Sequence, residues 1–214
     1  WNQTLLLAAG EILRLEQPER GYRCWLPVRG GLAVVPVLGS ASTLPQAGWG
    51  GHQGRPLRTG DVLHTGEACG GVRLLRARPP AGLDAGDLRT VAGPQTDAFT
   101  DAGLAAFFGG CFRVDPASDR RGIRLAGPAI AGRGVEQPTQ GVLPGAVQVP
   151  PDGQPIILGW DGPVTGGYPV IATVIAADLA RLGQLRPGVA VRFATVSVET
   201  ARAAGEDWEV SEWG

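Results

Sequence analysis

The sequence predicts a mostly β protein with a few short helices. Short apolar runs bounded by Gly and Pro dominate the chain. The 34 Gly and 18 Pro make up about a quarter of its 214 residues, which leaves little room for long helices. A composition that is 43% hydrophobic and 18% charged can still bury a core.

The elements follow in order. Val28 to Leu38 is an apolar run interrupted by Gly30, Gly31 and Pro36. Val189, Val191 and Phe193 alternate with Ala190, Arg192 and Ala194, the pattern of a half-buried strand within Val189 to Val198. A turn glycine followed by an apolar alternation occurs at Gly10, Gly60 and Gly188, with Gly supplying a positive φ. Their unequal spacing excludes a solenoid and suggests two related β units. Thr100-Asp101 can cap a helix over Ala102 to Phe108 that Gly109-Gly110 ends. Asp178 can cap Leu179 to Leu182, stopped by Gly183. Arg76 to Gly86, with Pro79, Pro80 and Gly82, reads as a linker. The expected units are residues 1–82 and 83–200, followed by an acidic tail, 201–214, that carries Trp208 and Trp213.

Composition also excludes classes of function. A formal net charge of −1 argues against a duplex-coating surface, so no nucleic-acid partner is expected. No apolar run reaches the roughly 18 residues of a bilayer span, so no membrane partner is expected and the cytoplasm is the default location. All nineteen basic residues are Arg. Without Lys there is no Schiff base, P-loop lysine or biotinyl-lysine on this chain. Met is also absent, so Trp1 is not a translation start. Cys24, Cys69 and Cys111 show no CxxC spacing, and are expected to be small buried hydrophobes rather than a zinc or disulfide framework. His52 and His64 have no acidic or thiol neighbour at ligand spacing, so no metal site is expected.

Catalytic work then falls to Asp, Glu, Arg, Tyr, Gln and backbone amides, which concentrate in three clusters. In the first, Asp115 to Arg124, the residues Arg120, Arg121 and Arg124 lie beside a turn. They read either as an anion site or as a solvated hairpin. The second places Gln148 and Gln154 on either side of a Pro-Asp-Gly turn that joins two apolar runs. The third, Asp161 to Pro169, holds Thr165, Gly166, Gly167 and Tyr168. Its glycines can admit a ligand close to the backbone or form an anion-binding nest, and Tyr168 can donate to a substrate oxygen. A plain glycine-rich turn is the alternative.

Taken together these motifs resemble a known family. Val28-Arg29-Gly30-Gly31, Val37 to Thr43 and Gly60-Asp61-Val62-Leu63 fit it in order. So do SDRRGIRLAGP at 118–128, GVLPGAVQVPPDGQPIIL at 141–158 and TGGYPVIATVIAADLARLGQLRPG at 165–188. The chain is similar to the biotin-dependent carboxyltransferase, or allophanate hydrolase subunit 2-like, family, which includes the C component of 5-oxoprolinase.

The resemblance implies two cyclophilin-like β-barrel units, the first N-terminally incomplete because relatives carry a further segment before the position of Trp1. It implies a subunit of an ATP-dependent 5-oxoprolinase, inactive alone. With a subunit-B-like and a subunit-A-like partner it would convert 5-oxo-L-proline, a small lactam, to L-glutamate. ATP would act at the level of the complex. Carried over by position, Arg120, Arg124, Asp161 and Tyr168 would be catalytic. Gln148, Gln154, Thr165, Gly166 and Gly167 would bind substrate. One alternative is the carboxyltransferase component of a biotin-dependent urea or amide carboxylase, with biotin on another chain. A second is a regulatory protein that binds a kinase-inhibitor-like partner. Relatives place Lys or Arg at Val170, a polar residue at Val164, and Ser followed by an acidic or amide residue at Thr139-Gln140.

Overall fold

The computed structural model describes residues 3–71 and 86–204. They fall into two units, one formed by Trp1–Arg23 with Leu75–Gly214, the other by Cys24–Leu74. The expected boundary at 82/83 and most of the expected linker lie outside the described residues.

The first unit is built on an eight-stranded sheet. In chain order its strands are β1 (Leu88–Ala92), β2 (Phe112–Val114), β3 (Gly122–Ala126), β5 (Ala146–Gln148), β6 (Ile156–Leu158), β8 (Val170–Val174), β9 (Ala190–Val191) and β10 (Phe193–Thr195). Two further strands, β4 (Gln140–Gly141) and β7 (Thr165–Gly166), pair with each other in a separate ribbon. The spatial order is β10-β1-β8-β5-β6-β3-β2-β9. The two outermost strands are separated in sequence by Arg192 alone, so one bent segment pairs with β2 through its first half and with β1 through its second. At the bend, the Arg192 carbonyl accepts from the Leu88 N–H at 2.8 Å. This strand switch wraps the sheet into a nearly closed barrel and leaves few unpaired edges.

Alternation decides which side chains fill the barrel. In β3, Ile123 and Leu125 point inward while Arg124 points out. At the strand switch Val191 and Phe193 are buried and Arg192 is exposed, as the sequence pattern requires. Helix α1 (Asp101–Gly109) supplies Phe107, whose ring stacks on Phe193 at a centroid distance of 4.3 Å and meets Phe112 at 6.2 Å. Burying each of these rings contributes roughly 1.5–3 kcal/mol. The predicted cap is present: Thr100 Oγ1 accepts from the Gly103 N–H at 3.0 Å.

Helix α2 (Leu179–Leu182) also forms where expected, but Asp178 does not cap it with its side chain. The Asp178 carboxylate turns into the protein and pairs with Arg89 and Arg181, because an ion pair with two guanidiniums outweighs a single capping bond. A third helix, α3 (Val198–Ala204), starts at Ser197, whose Oγ accepts from the Thr200 N–H at 3.1 Å. Residues 201–204 of the expected tail therefore belong to a helix, and 205–214 lie outside the described residues. No helix among the described residues is long and apolar enough to cross a membrane.

In the Cys24–Leu74 unit the expected run from Val28 to Leu38 forms no strand. Gly30 and Gly31 have φ of 82° and 69°, Leu38 itself has φ 49°, and such residues break a ladder into isolated bridges, such as Leu32 with Thr65. This unit is organised around Asp61, which receives both Nη atoms of Arg55 at 2.8 Å and the Arg58 N–H at 2.7 Å. His52 Nε2 lies 3.6 Å from the same carboxylate. The Arg55 hydrogen bonds hold the Asp61 carboxyl well below its ordinary range, and the Arg58 N–H adds to them. Trp25, Val35 and Leu38 are strongly exposed. All three cysteines are exposed rather than buried. For Cys111 the cause is strand parity, since its neighbour Phe112 takes the inward position.

Candidate functional site

The outer face of the barrel is where the predicted clusters meet. In antiparallel strands directly paired residues share a face. Arg124 pairs with Ile156, Ile156 with Gln148, and Gln148 with Val170. One row therefore runs across β3, β6, β5 and β8, with Arg124 and Gln148 two strand spacings, about 10 Å, apart. Arg124 presents an exposed side chain, while its backbone N–H donates to Ser118 Oγ at 3.0 Å. That bond and the Asp115 N–H to the Arg124 carbonyl (2.9 Å) rigidify the β2–β3 turn. Within the turn Asp119 Oδ1 accepts from the N–H groups of Arg121 (2.8 Å) and Gly122 (3.1 Å). The acidic residues of the first cluster thus build the hairpin. Arg120 reaches out of it to Asp161, Nε to Oδ2, at 2.7 Å.

Part of this face is covered. The β4–β7 ribbon and its flanks lie on it, with Val142 buried against Ala146, Leu158 and Val170. Beneath the ribbon Gln148 is 5% exposed and donates from Nε2 to the Tyr168 carbonyl at 3.3 Å. Gly166 packs closely there: a Cβ at that position would force the Gln148 carboxamide to shift. Tyr168 is 45% exposed and Thr165 is exposed, so the ribbon presents polar groups outward as well. Neither Gly166 nor Gly167 has a positive φ, so the alternating backbone of an anion nest is not formed by this pair. Gly166 serves close packing instead.

Two further residues belong to this region and carry no site role in the sequence reading. Gln95, in the loop after β1, accepts from the Val170 N–H through Oε1 at 3.0 Å and donates from Nε2 to Gln140 Oε1 at 2.9 Å. Gln140 stands opposite Gly166 in the ribbon. The sequence signal for them is weak, since each is a single Gln in a loop or short strand and only β-register brings them together. Gln154 is engaged differently. Its Oε1 accepts from the Gly127 N–H at 2.9 Å and its Nε2 donates to the Gly127 carbonyl at 3.3 Å, clipping β6 to the end of β3.

Gln148, Thr165, Gly166, Gly167 and Tyr168 are thus gathered at the ribbon, Arg124 lies on the same face, and Arg120 with Asp161 forms a pair at the neighbouring turn. The arrangement offers guanidinium and carboxamide donors, suited to carbonyl or carboxylate oxygens and to negative charge that develops on them.

A family model for the carboxyltransferase domain, subdomains A and B, matches residues 1–195. The C component of 5-oxoprolinase from Escherichia coli (strain K12) is 38% identical over 211 residues, covering 95% of this chain and 66% of the relative. The corresponding 5-oxoprolinase component of Haemophilus influenzae is 36% identical over 196 residues, 90% of this chain and 62% of the relative. The chain thus spans slightly less than two thirds of the length of these relatives. Among solved structures, K. lactis urea amidolyase superposes with a TM-score of 0.71 at 29% identity, over 86% of this chain and 12% of that one.

Proposed function

We propose, from the premise that this chain belongs to the carboxyltransferase domain family, that it works as the C component of an ATP-dependent 5-oxoprolinase. The reading rests on one observation above the others, the 38% identity to the E. coli protein over 95% of this chain. With A-like and B-like partners the complex opens the lactam of 5-oxo-L-proline to give L-glutamate in the cytoplasm, and the chain alone is inactive. The exposed Trp25, Val35 and Leu38 support a partner-bound state.

Within this reading the outer-face row supplies binding and electrostatics. Opening a lactam places negative charge on the carbonyl oxygen as a nucleophile adds to the ring carbon. A guanidinium and fixed amide donors stabilise that charge more than they stabilise the neutral ground state. Arg124 is a cationic group reaching outward on this face. Asp161 orients Arg120, and Tyr168 offers its hydroxyl from the ribbon. Gln148 holds the ribbon backbone through the Tyr168 carbonyl.

At the ribbon, Gly166 and Gly167 build no nest and Val170 carries no charge, so this stretch offers no phosphate cradle. We place ATP at the level of the complex.

A second reading, carboxyl transfer to urea or a similar amide, is favoured by the superposition on K. lactis urea amidolyase. No Lys stands in these 214 residues to carry biotin, so any biotinyl group is attached outside them. Glutamate release from 5-oxo-L-proline, assayed with the A-like and B-like partners, with and without ATP, separates the two. Glutamate formed only with ATP and all three chains supports the oxoprolinase assignment. Its absence from a folded complex, with carboxyl transfer from carboxybiotin to urea, replaces it by the second reading.

A further inference from the structure

Gln140 carries a hydrogen-bond donor for which the described residues supply no acceptor. Three groups fix its orientation in sequence, starting from one that has no freedom. The Val170 backbone N–H can only donate, and it meets Gln95 Oε1 at 3.0 Å. Gln95 must then present its Nε2 on the other side, where it donates to Gln140 Oε1 at 2.9 Å. The Gln140 oxygen is thereby used. Its Nε2 is shielded from solvent and has no hydrogen-bond partner among the described residues. Turning either carboxamide over does not resolve this, because each flip sets donor against donor.

The location is as telling as the chemistry. Gln140 stands opposite Gly166, the residue that lies against the Gln148 carboxamide. Gly167, next in the chain, passes close to Thr139. The unsatisfied donor thus sits at the ribbon that already gathers the candidate substrate-binding residues. A buried donor left unpaired is costly, and such groups are retained where a ligand completes them.

We propose that Gln140 Nε2 is the recognition donor for the acceptor oxygen of a small amide or lactam, and that Gln95 is the residue that positions it. The assignment rests on the function proposed above and adds two residues to its binding site. A neutral carboxamide donor selects a carbonyl or carboxylate oxygen and offers nothing to an ammonium group. Because Nε2 is shielded, the oxygen reaches it only when the ribbon shifts, and that ribbon is held by strands of two residues each.

The test is calorimetric titration of the full chain, alone and in its three-chain complex without ATP. The probes are 5-oxo-L-proline and, separately, urea. Gln140→Glu keeps the size of the side chain and an acceptor for Gln95 but replaces the donor by oxygen. Gln140→Met removes the donor without adding charge, in case the carboxylate disturbs folding. Both should weaken binding of at least one probe about tenfold or more, with little change in melting temperature. Gln95→Glu still accepts from the Val170 N–H but no longer donates to Gln140. In the glutamate assay it should raise KM more than it lowers kcat.

Wild-type binding of neither probe, in chain or complex, overturns the inference. So does unchanged binding by Gln140→Met, which would mean that solvent alone completes the donor. If glutamate never forms while binding still depends on Gln140, the oxoprolinase reading fails and the donor assignment stands.

Discussion

Replacing Asp178 by alanine removes the anion that joins β1 to the start of α2. Its side chain is 2% exposed. Oδ2 accepts from the Arg89 backbone N–H at 2.8 Å and from Arg181 Nη1 at 3.1 Å, and Oδ1 accepts from Arg89 Nη2 at 2.6 Å. The variant leaves the Arg89 backbone donor and guanidinium without their acceptor, while Arg181 keeps the Asp87 and Gly86 carbonyls beside an Nε that already lacks a partner. Removing one partner of a fully buried pair costs about 3–5 kcal/mol; with Arg89 39% exposed and Arg181 still bonded to two carbonyls, about 2–3 kcal/mol is expected. At about 2–4 °C per kcal/mol for a chain of this size, the melting temperature should fall by about 4–12 °C. Asp178→Asn keeps an acceptor for the Arg89 N–H and should fall between the two. Thermal and urea denaturation followed by circular dichroism read these differences directly.

The pH dependence provides a second check. Burial works to raise the Asp178 carboxyl, but the Arg89 side-chain and backbone hydrogen bonds, with the Arg181 and Arg89 charges, outweigh it and leave the group lowered. A carboxyl with a lowered folded pKa contributes its stability above the unfolded value, about 3.9, and loses it as pH falls through the folded one. The advantage of the natural chain over Asp178→Asn should therefore be complete at neutral pH and shrink on acidification below about pH 4. Asp178→Ala within about 1 kcal/mol of the natural chain, or an advantage over Asn unchanged in strong acid, would refute the ion-pair argument.

Other substitutions probe the site and its frame. Arg124→Ala and Tyr168→Phe should each cut glutamate turnover by the assembled complex about tenfold or more while leaving the melting curve in place, because these side chains reach solvent. Equal turnover would remove them from the site. Gly166→Ala should drive a Cβ into the Gln148 carboxamide, costing about 1–3 kcal/mol and lowering turnover. Gln148→Ala in the same chain should recover part of that stability, and a strictly additive double mutant would contradict the contact. Thr100→Ala should destabilise by about 1 kcal/mol through loss of the α1 cap, measured as a shift in the urea midpoint.

Much of the frame was legible because it depends on neighbours in sequence. Thr100 and Gly109-Gly110 bracket α1. The Pro-Asp-Gly turn joins β5 to β6, with Gly153 at φ 74°, and the Val191-Arg192-Phe193 alternation sets the faces of β9 and β10. Gly10, Gly60 and Gly188 adopt the positive φ expected of them, at 86°, 90° and 85°. Gly188 alone of the three leads into a strand, β9, because strand formation needs a partner that local pattern does not specify.

Fold class, hairpins, the capped helix and the family can all be read along the chain, because turn chemistry, two-residue periodicity and motif order are local properties. The work done by the polar side chains cannot, since it depends on which segments pack together. Asp178 turns from cap to ion pair because Arg89, distant in sequence, arrives beside it. Gln95 and Gln140 become one hydrogen-bonded unit because β1, β8 and the ribbon bring them within 2.9 Å. The sheet nearly closes because a single segment switches partner at Arg192. In each case the deciding quantity is cross-strand register. Register is a property of which segments meet, and no window along one segment contains it.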